Sequence, residues 1–159
     1  MPIIKIDLNK YNINNYIIFN IMEEQIKIGF TGNRYGLNSE QKVQIISILD
    51  KYDNLIVSHG DCIGSDTDFH NICINYRNEH PNKKIKIYIF PPNDSKLRAF
   101  NQGDLLMDEK PYLQRNLDII KNSSILIACP IDKNKEQLRS GTWSTIRKAI
   151  KQKLTTIIL

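Results

Sequence analysis

Between His59 and His70 the chain reads HGDCIGSDTDFH, which gathers two histidines, a cysteine, three aspartates and two glycines into one short stretch. Residues of these types at this spacing could do three kinds of chemistry. His59-x-x-Cys62 and His70-x-x-Cys73 have the spacing of zinc ligands. Cys62 at the start of a helix is a redox or nucleophilic candidate, because a helix dipole lowers a thiol pKa. Gly60 and Gly64 could let the backbone approach a phosphate, with the N–H groups of a following helix aimed at it. Cys73 falls on an apolar helical stripe, which claims it for the core. Cys62 has no resolving cysteine or adjacent base in sequence. The phosphate turn is therefore the leading reading, and no metal or other cofactor is called for.

The elements that would position this stretch follow from periodicity. Five short apolar runs rich in β-branched residues alternate with segments of helical period, the pattern of βαβ units and a parallel sheet. The runs are Ile26 to Thr31, Leu55 to Ser58, Ile85 to Phe90, Ser124 to Cys129 and Thr155 to Leu159. Between them, Val43, Ile46 and Leu49 recur at helical spacing after two good N-cap residues, Asn38 and Ser39. Phe69, Ile72, Cys73 and Tyr76 form a second stripe, and Leu113, Leu117 and Ile120 a third, opened by Pro111. Trp143, Ile146 and Ile150 form the last. The segment 91–110 is too long for an ordinary connection and reads as a ligand-covering insertion.

Bulk properties bound the class. A chain of 159 residues with 41% apolar and 25% charged residues is sized and composed for one globular domain. No apolar run approaches the roughly 18 residues of a membrane-spanning helix, so no membrane partner is expected. Three cysteines without a Cys-x-x-Cys pair suit a reducing compartment, and a cytoplasmic location is expected. The net charge of +5 favours anionic partners. Met22 stands just before the first strand, so residues 1–21 are set apart as an extension of unassigned role and the domain is placed at 22–159.

In a parallel sheet every strand ends on the same edge, and ligands bind there near the reversal of strand order. The first strand runs into Thr31-Gly32-Asn33-Arg34 and the second into His59-Gly60-Asp61. The fourth runs into Cys129-Pro130 and then Arg139-Ser140-Gly141-Thr142. Ser140, Gly141 and Thr142 would repeat the anion-binding turn with hydroxyl donors, and Arg34 and Arg115 are expected on the same edge. Plainer readings stand beside these. Ser65 with Asp68 is spaced as a capping box. Asp66 and His70 are i, i+4 neighbours. Arg147, Lys148, Lys151 and Lys153 read as a solvated basic face.

HGDCIGSD with His70, then PYLQRN, then RSGTWSTIRKA, in this order on such a frame, resembles the SLOG superfamily. That superfamily joins the DNA-processing protein A (DprA) family to the LOG phosphoribohydrolases. The resemblance runs from about Ile26 to the C-terminus. It implies a single α/β Rossmann-like domain whose five-stranded, mainly parallel sheet has the order 3-2-1-4-5, with helices on both faces. It also implies a nucleotide-type small ligand, with single-stranded nucleic acid as another partner class and a homodimer admitted.

On this reading Gly60, Gly64, Ser140, Gly141 and Thr142 hold phosphate. Arg34 and Arg115 pair with its charge, and Thr31, Gly32, His59 and Asn116 complete the site. Arg98 is a lid contact from the insertion. Asp61 and Asp66 accept from ribose hydroxyls, or one of them serves in glycosidic cleavage. LOG enzymes carry a catalytic glutamate three residues after the threonine that Thr142 matches; here that position is Thr145. A LOG-type reaction would need its carboxylate from Asp61 or Asp66. Nucleotide binding, N-glycosidic hydrolysis and single-strand DNA binding are thus the three functions in play.

Overall fold

The computed structural model describes residues 24–159. The N-terminal extension assigned to 1–21 lies outside the described residues.

The strands form where the apolar runs fall: β1 Ile26–Gly32, β2 Asn54–His59, β3 Lys84–Ile89, β5 Ile125–Cys129 and β6 Thr155–Ile158. A further short strand, β4 Leu105–Leu106, lies inside the 91–110 insertion and pairs with β3. The sheet therefore has six strands in the order β4-β3-β2-β1-β5-β6 instead of the five expected. Every pairing between these strands is parallel, in agreement with the mainly parallel sheet expected. The extra strand escapes a sequence reading because two exposed leucines carry no alternation; their strand character comes from the β3 edge. The Asp104 and Met107 N–H groups donate to the carbonyls of Ile87 and Ile89 at 2.8 and 2.9 Å. Part of the expected lid is thus a sheet edge.

Four helices are present among the described residues: α1 Ser39–Leu49, α2 Ser65–Glu79, α3 Tyr112–Lys121 and α4 Gly141–Lys151. The sheet residues alternate between two cores, as the two-residue period of a strand requires. Ile127 and Cys129 join Ile28, Phe30 and Val57 beneath α1 and α2, where Phe30 stacks on Phe69 with ring centroids 4.3 Å apart. Leu126 and Ala128 face the other way, beneath α3 and α4, against Ile120, Trp143, Ile146 and Ala149.

Three helical stripes differ from the periodic reading. In α1, Val43 and Ile46 are exposed, and the buried face is Gln41, Ile45, Ile48 and Leu49. The reason is Gln41. It closes a capping box with Asn38 and donates to the Leu159 carbonyl at 3.1 Å, so a polar residue opens the inward face. In α3 the buried positions are Arg115, Asn116, Ile119 and Ile120, and Leu113 is exposed. In α4, Ala149 takes the inward place expected of Ile150. The capping box proposed for Ser65 and Asp68 is absent. Gly64 caps α2, the Asp68 carboxylate accepts from the Leu37 N–H at 2.8 Å, and Ser65 is its first helical residue.

Candidate functional site

Strand order reverses between β1 and β5, and a cleft of about 1110 Å³ opens outside their carboxyl ends. Gly32, Arg34, Asp66, Ser140, Gly141 and Thr142 line it, and all six belong to the expected site. The β1–α1 loop contributes Asn33, Arg34 and Tyr35. Cys62 and Asp66 come from the β2–α2 side, and Lys96 and Leu97 from the insertion.

The start of α4 forms the opposite wall. Ser140 is the N-cap, its hydroxyl accepting from the Trp143 N–H at 3.3 Å. Gly141 and Thr142 then occupy the first turn, where a helix presents N–H groups that have no partner within the helix. Gly141 packs so closely on the Tyr112 ring that a Cβ there would lie 2.3 Å from the phenolic oxygen. Thr145, at the position of the LOG glutamate, is buried. It donates to the Gly141 carbonyl at 3.0 Å and accepts from Asn116 Nδ2 at 2.9 Å. Asn116 is therefore a support of the α4 turn, set behind the cleft.

The α2 side is built differently from the expected phosphate turn. A Cβ at Gly60 would fall 1.1 Å from Nη1 of Arg115, so the guanidinium fills the space over this glycine. Gly64 has φ +98° and backs onto the Arg34 carbonyl, where a Cβ would stand 2.3 Å away. Neither glycine lines the cleft. The loop leading into α2 is instead engaged by an internal carboxylate. Asp66 Oδ2 accepts from the Cys62 N–H at 3.1 Å and lies 3.7 Å from Arg115 Nη1. Two candidate phosphate turns thus reduce to one, at α4.

Arg115 is 3% exposed, so it sits under the floor of the cleft instead of in its wall. Its Nη2 donates to Cys62 Sγ at 3.2 Å, and its guanidinium lies 4.9 Å from the centre of the Tyr112 ring. Nε has no partner among the described residues. Burial raises the Asp66 pKa, with Arg115 opposing. Burial also raises the Cys62 thiol, and the Asp66 charge adds to this. A buried carboxylate held toward its neutral form beside a cleft is suited to donating a proton.

Asp61 and His59 lie behind this floor, both fully buried and neither lining the cleft. Asp61 accepts from Arg98 Nε at 3.0 Å and from the Asn101 backbone and side-chain N–H groups at 2.9 and 3.1 Å. Its lone pairs face the insertion. His59 Nδ1 accepts from the Asp61 N–H at 3.1 Å, so the ring proton is on Nε2 and is donated to His70 Nδ1 at 3.0 Å. Burial pushes His59 down to about 3. Asp66 and His70, expected as a helix pair, turn to Cys62 and His59 respectively. Thr31 is a buried strand residue. Arg98 bonds to Asp61 and Glu109, and does not line the cleft.

Charge marks the cleft. Arg34, Lys96, Arg139 and Arg147 line it, and Asp66 is its only carboxylate among the described residues. Arg147 pairs with Glu136 at 2.6 Å; no ion pair to Arg34, Lys96 or Arg139 occurs among the described residues. Arg147 is exposed, in keeping with the solvated basic face to which its spacing assigned it, and also lines the cleft. Lys96, Arg139 and Arg147 were not expected as site residues. Adjacency to the Ser140 cap was the one signal for Arg139.

No protein-family model and no curated protein sequence matches the chain. Solved structures do. A molybdenum cofactor binding protein from Rippkaea orientalis superposes with a TM-score of 0.59 at 14% identity, over 86% of this chain and 77% of its own. DNA processing protein A (DprA) from Streptococcus pneumoniae gives 0.57 at 15% identity, over 84% of this chain. The structural-genomics target TM1055 gives 0.53 at 12% identity, over 82% of this chain and 72% of its own. These likenesses show a shared α/β fold. The match to DprA spans 50% of that protein, so this chain corresponds to about half of its length.

Proposed function

We propose that the cleft binds a nucleotide or nucleotide-derived ligand, with phosphate at the α4 N-terminus and a ribose hydroxyl toward Asp66. The observation that carries this is the α4 turn itself. Ser140, Gly141 and Thr142 open a helix N-terminus into a cleft where Arg34, Lys96 and Arg139 have no carboxylate partner among the described residues. Helix dipole, free N–H groups and unpaired cations all favour the same anion. One structural neighbour is a molybdenum cofactor binding protein, which is in keeping with a ligand in this cleft.

The test is a thermal-shift and calorimetric titration of the purified chain with AMP, ADP-ribose, inorganic phosphate and a short single-stranded oligonucleotide. A nucleotide at 100 times its dissociation constant stabilises by about 2.7 kcal/mol. Arg139→Ala should weaken it by about 1.5–3 kcal/mol, the scale of a charged hydrogen bond. Stabilisation by no nucleotide would end this reading. Affinity that grows with oligonucleotide length and falls steeply with salt would replace it with single-strand DNA binding.

A second reading, N-glycosidic hydrolysis, is favoured by the raised pKa of Asp66 in the cleft wall. It predicts free base released from a nucleoside monophosphate and lost in Asp66→Asn. Binding without release of base leaves the binder.

A further inference from the structure

We infer that Asp61 is a positioning residue, the latch that sets where the insertion wall of the cleft stands. The inference rests on the reading of that cleft as the ligand site. The insertion is closed at its base, where the Asn93 N–H donates to the Lys110 carbonyl at 3.0 Å and β4 pairs with β3. Between these anchors the chain leaves the sheet and carries Lys96 and Leu97 into the cleft wall.

Most of the bonds that return this excursion to the body converge on one residue. The Asp61 carboxylate takes Arg98 Nε and both N–H donors of Asn101, and the Asp61 carbonyl takes the Ala99 N–H at 2.8 Å. The Ile63 N–H reaches the Leu97 carbonyl at 3.1 Å beside them. Asp61 is fully buried, and the Arg98 side chain is 9% exposed. The carboxylate therefore cannot exchange these partners for water without moving the wall.

Asp61 also has φ +58°, a left-handed conformation that aspartate and asparagine tolerate better than most side chains. That conformation turns the carboxylate away from the cleft and toward the insertion. Asparagine would keep the backbone preference while aiming an N–H₂ donor at Arg98 or Asn101, and would remove the charge that Arg98 opposes. Asp61→Asn thus separates the latch from the turn.

Hydrogen exchange and ligand affinity read the two parts of the inference. In Asp61→Asn the amides of Ala99 and Asn101 should exchange at least about tenfold faster, the mark of local opening, while β1 and β5 stay protected. AMP should bind about tenfold more weakly, a loss of about 1.4 kcal/mol. Lys96→Ala should weaken AMP in the wild type and add nothing in Asp61→Asn, because the wall that presents Lys96 has already gone.

Unchanged exchange overturns the latch. Faster exchange with an undiminished Lys96 effect overturns the positioning role. If Asp61→Asn fails to fold, Asn101→Ala removes the side-chain donor at the end of the wall and leaves the residue-101 backbone N–H and the Arg98 pair in place, and the same readouts apply. If AMP binds neither wild type nor variant, the proposed ligand fails while the exchange result still decides the latch.

Discussion

Gly60 and Arg115 show how a residue's role depends on what faces it. A glycine followed by aspartate after a strand is suited to a phosphate, yet here an internal guanidinium takes the space a phosphate would need. Gly60→Ala must displace Arg115 from Asp66 and Cys62, and should cost about 1–3 kcal/mol in urea unfolding, the range for forced overpacking. The thiol of Cys62 carries the opposite expectation from its place near a helix start. Burial and the Asp66 charge raise its pKa, so iodoacetamide at pH 8 should alkylate it more slowly than a free cysteine, and unfolding should restore the ordinary rate. The types and the edge location of these residues were legible in the chain. Their partners were not, because Arg115 lies far along the sequence and its side-chain direction is set by α3 packing.

At the scale of elements, polar residues on buried faces are what misled the periodic reading. Gln41 on α1 and the Arg115–Asn116 pair on α3 occupy inward positions, and each is held there by a hydrogen bond or ion pair that compensates its burial. Hydrophobic period alone registers them as outward. The start of α1 is legible nonetheless, since Asn38 with Gln41 is a capping pair visible in sequence. Asn38→Ala should lower stability by about 1 kcal/mol in urea unfolding and leave ligand affinity unchanged, because the cap is away from the α4 turn. The insertion is the least legible element: β4 is two residues long and owes its conformation to β3.

For the whole molecule, burial of His59 ties stability to pH. Its folded pKa is about 3 against 6.5 when exposed, so the folded chain binds fewer protons across that window. Stability from this group is complete above pH 6.5 and is lost as pH falls toward 3, at up to about 1.4 kcal/mol per pH unit. His70, also lowered by burial, adds in the same direction. Urea midpoints measured from pH 7 to pH 4.5 should fall steadily, and His59→Gln should flatten the slope. An unaltered slope in that variant would assign the acid sensitivity elsewhere.

By itself the sequence determined the α/β class, five of the six strands and the sheet edge at which chemistry gathers. Each of these is carried by local signals: β-branched runs, caps, and glycines at strand ends. Tertiary structure decided which glycine-rich turn remains open to an anion, since Arg115 closes one and only α4 presents its first turn to the cleft. It also decided that Asp61 faces the insertion while Asp66 faces the cleft. The two carboxylates lie five residues apart and look alike in sequence. A left-handed backbone at one and a helical backbone at the other send them to opposite sides of the same loop.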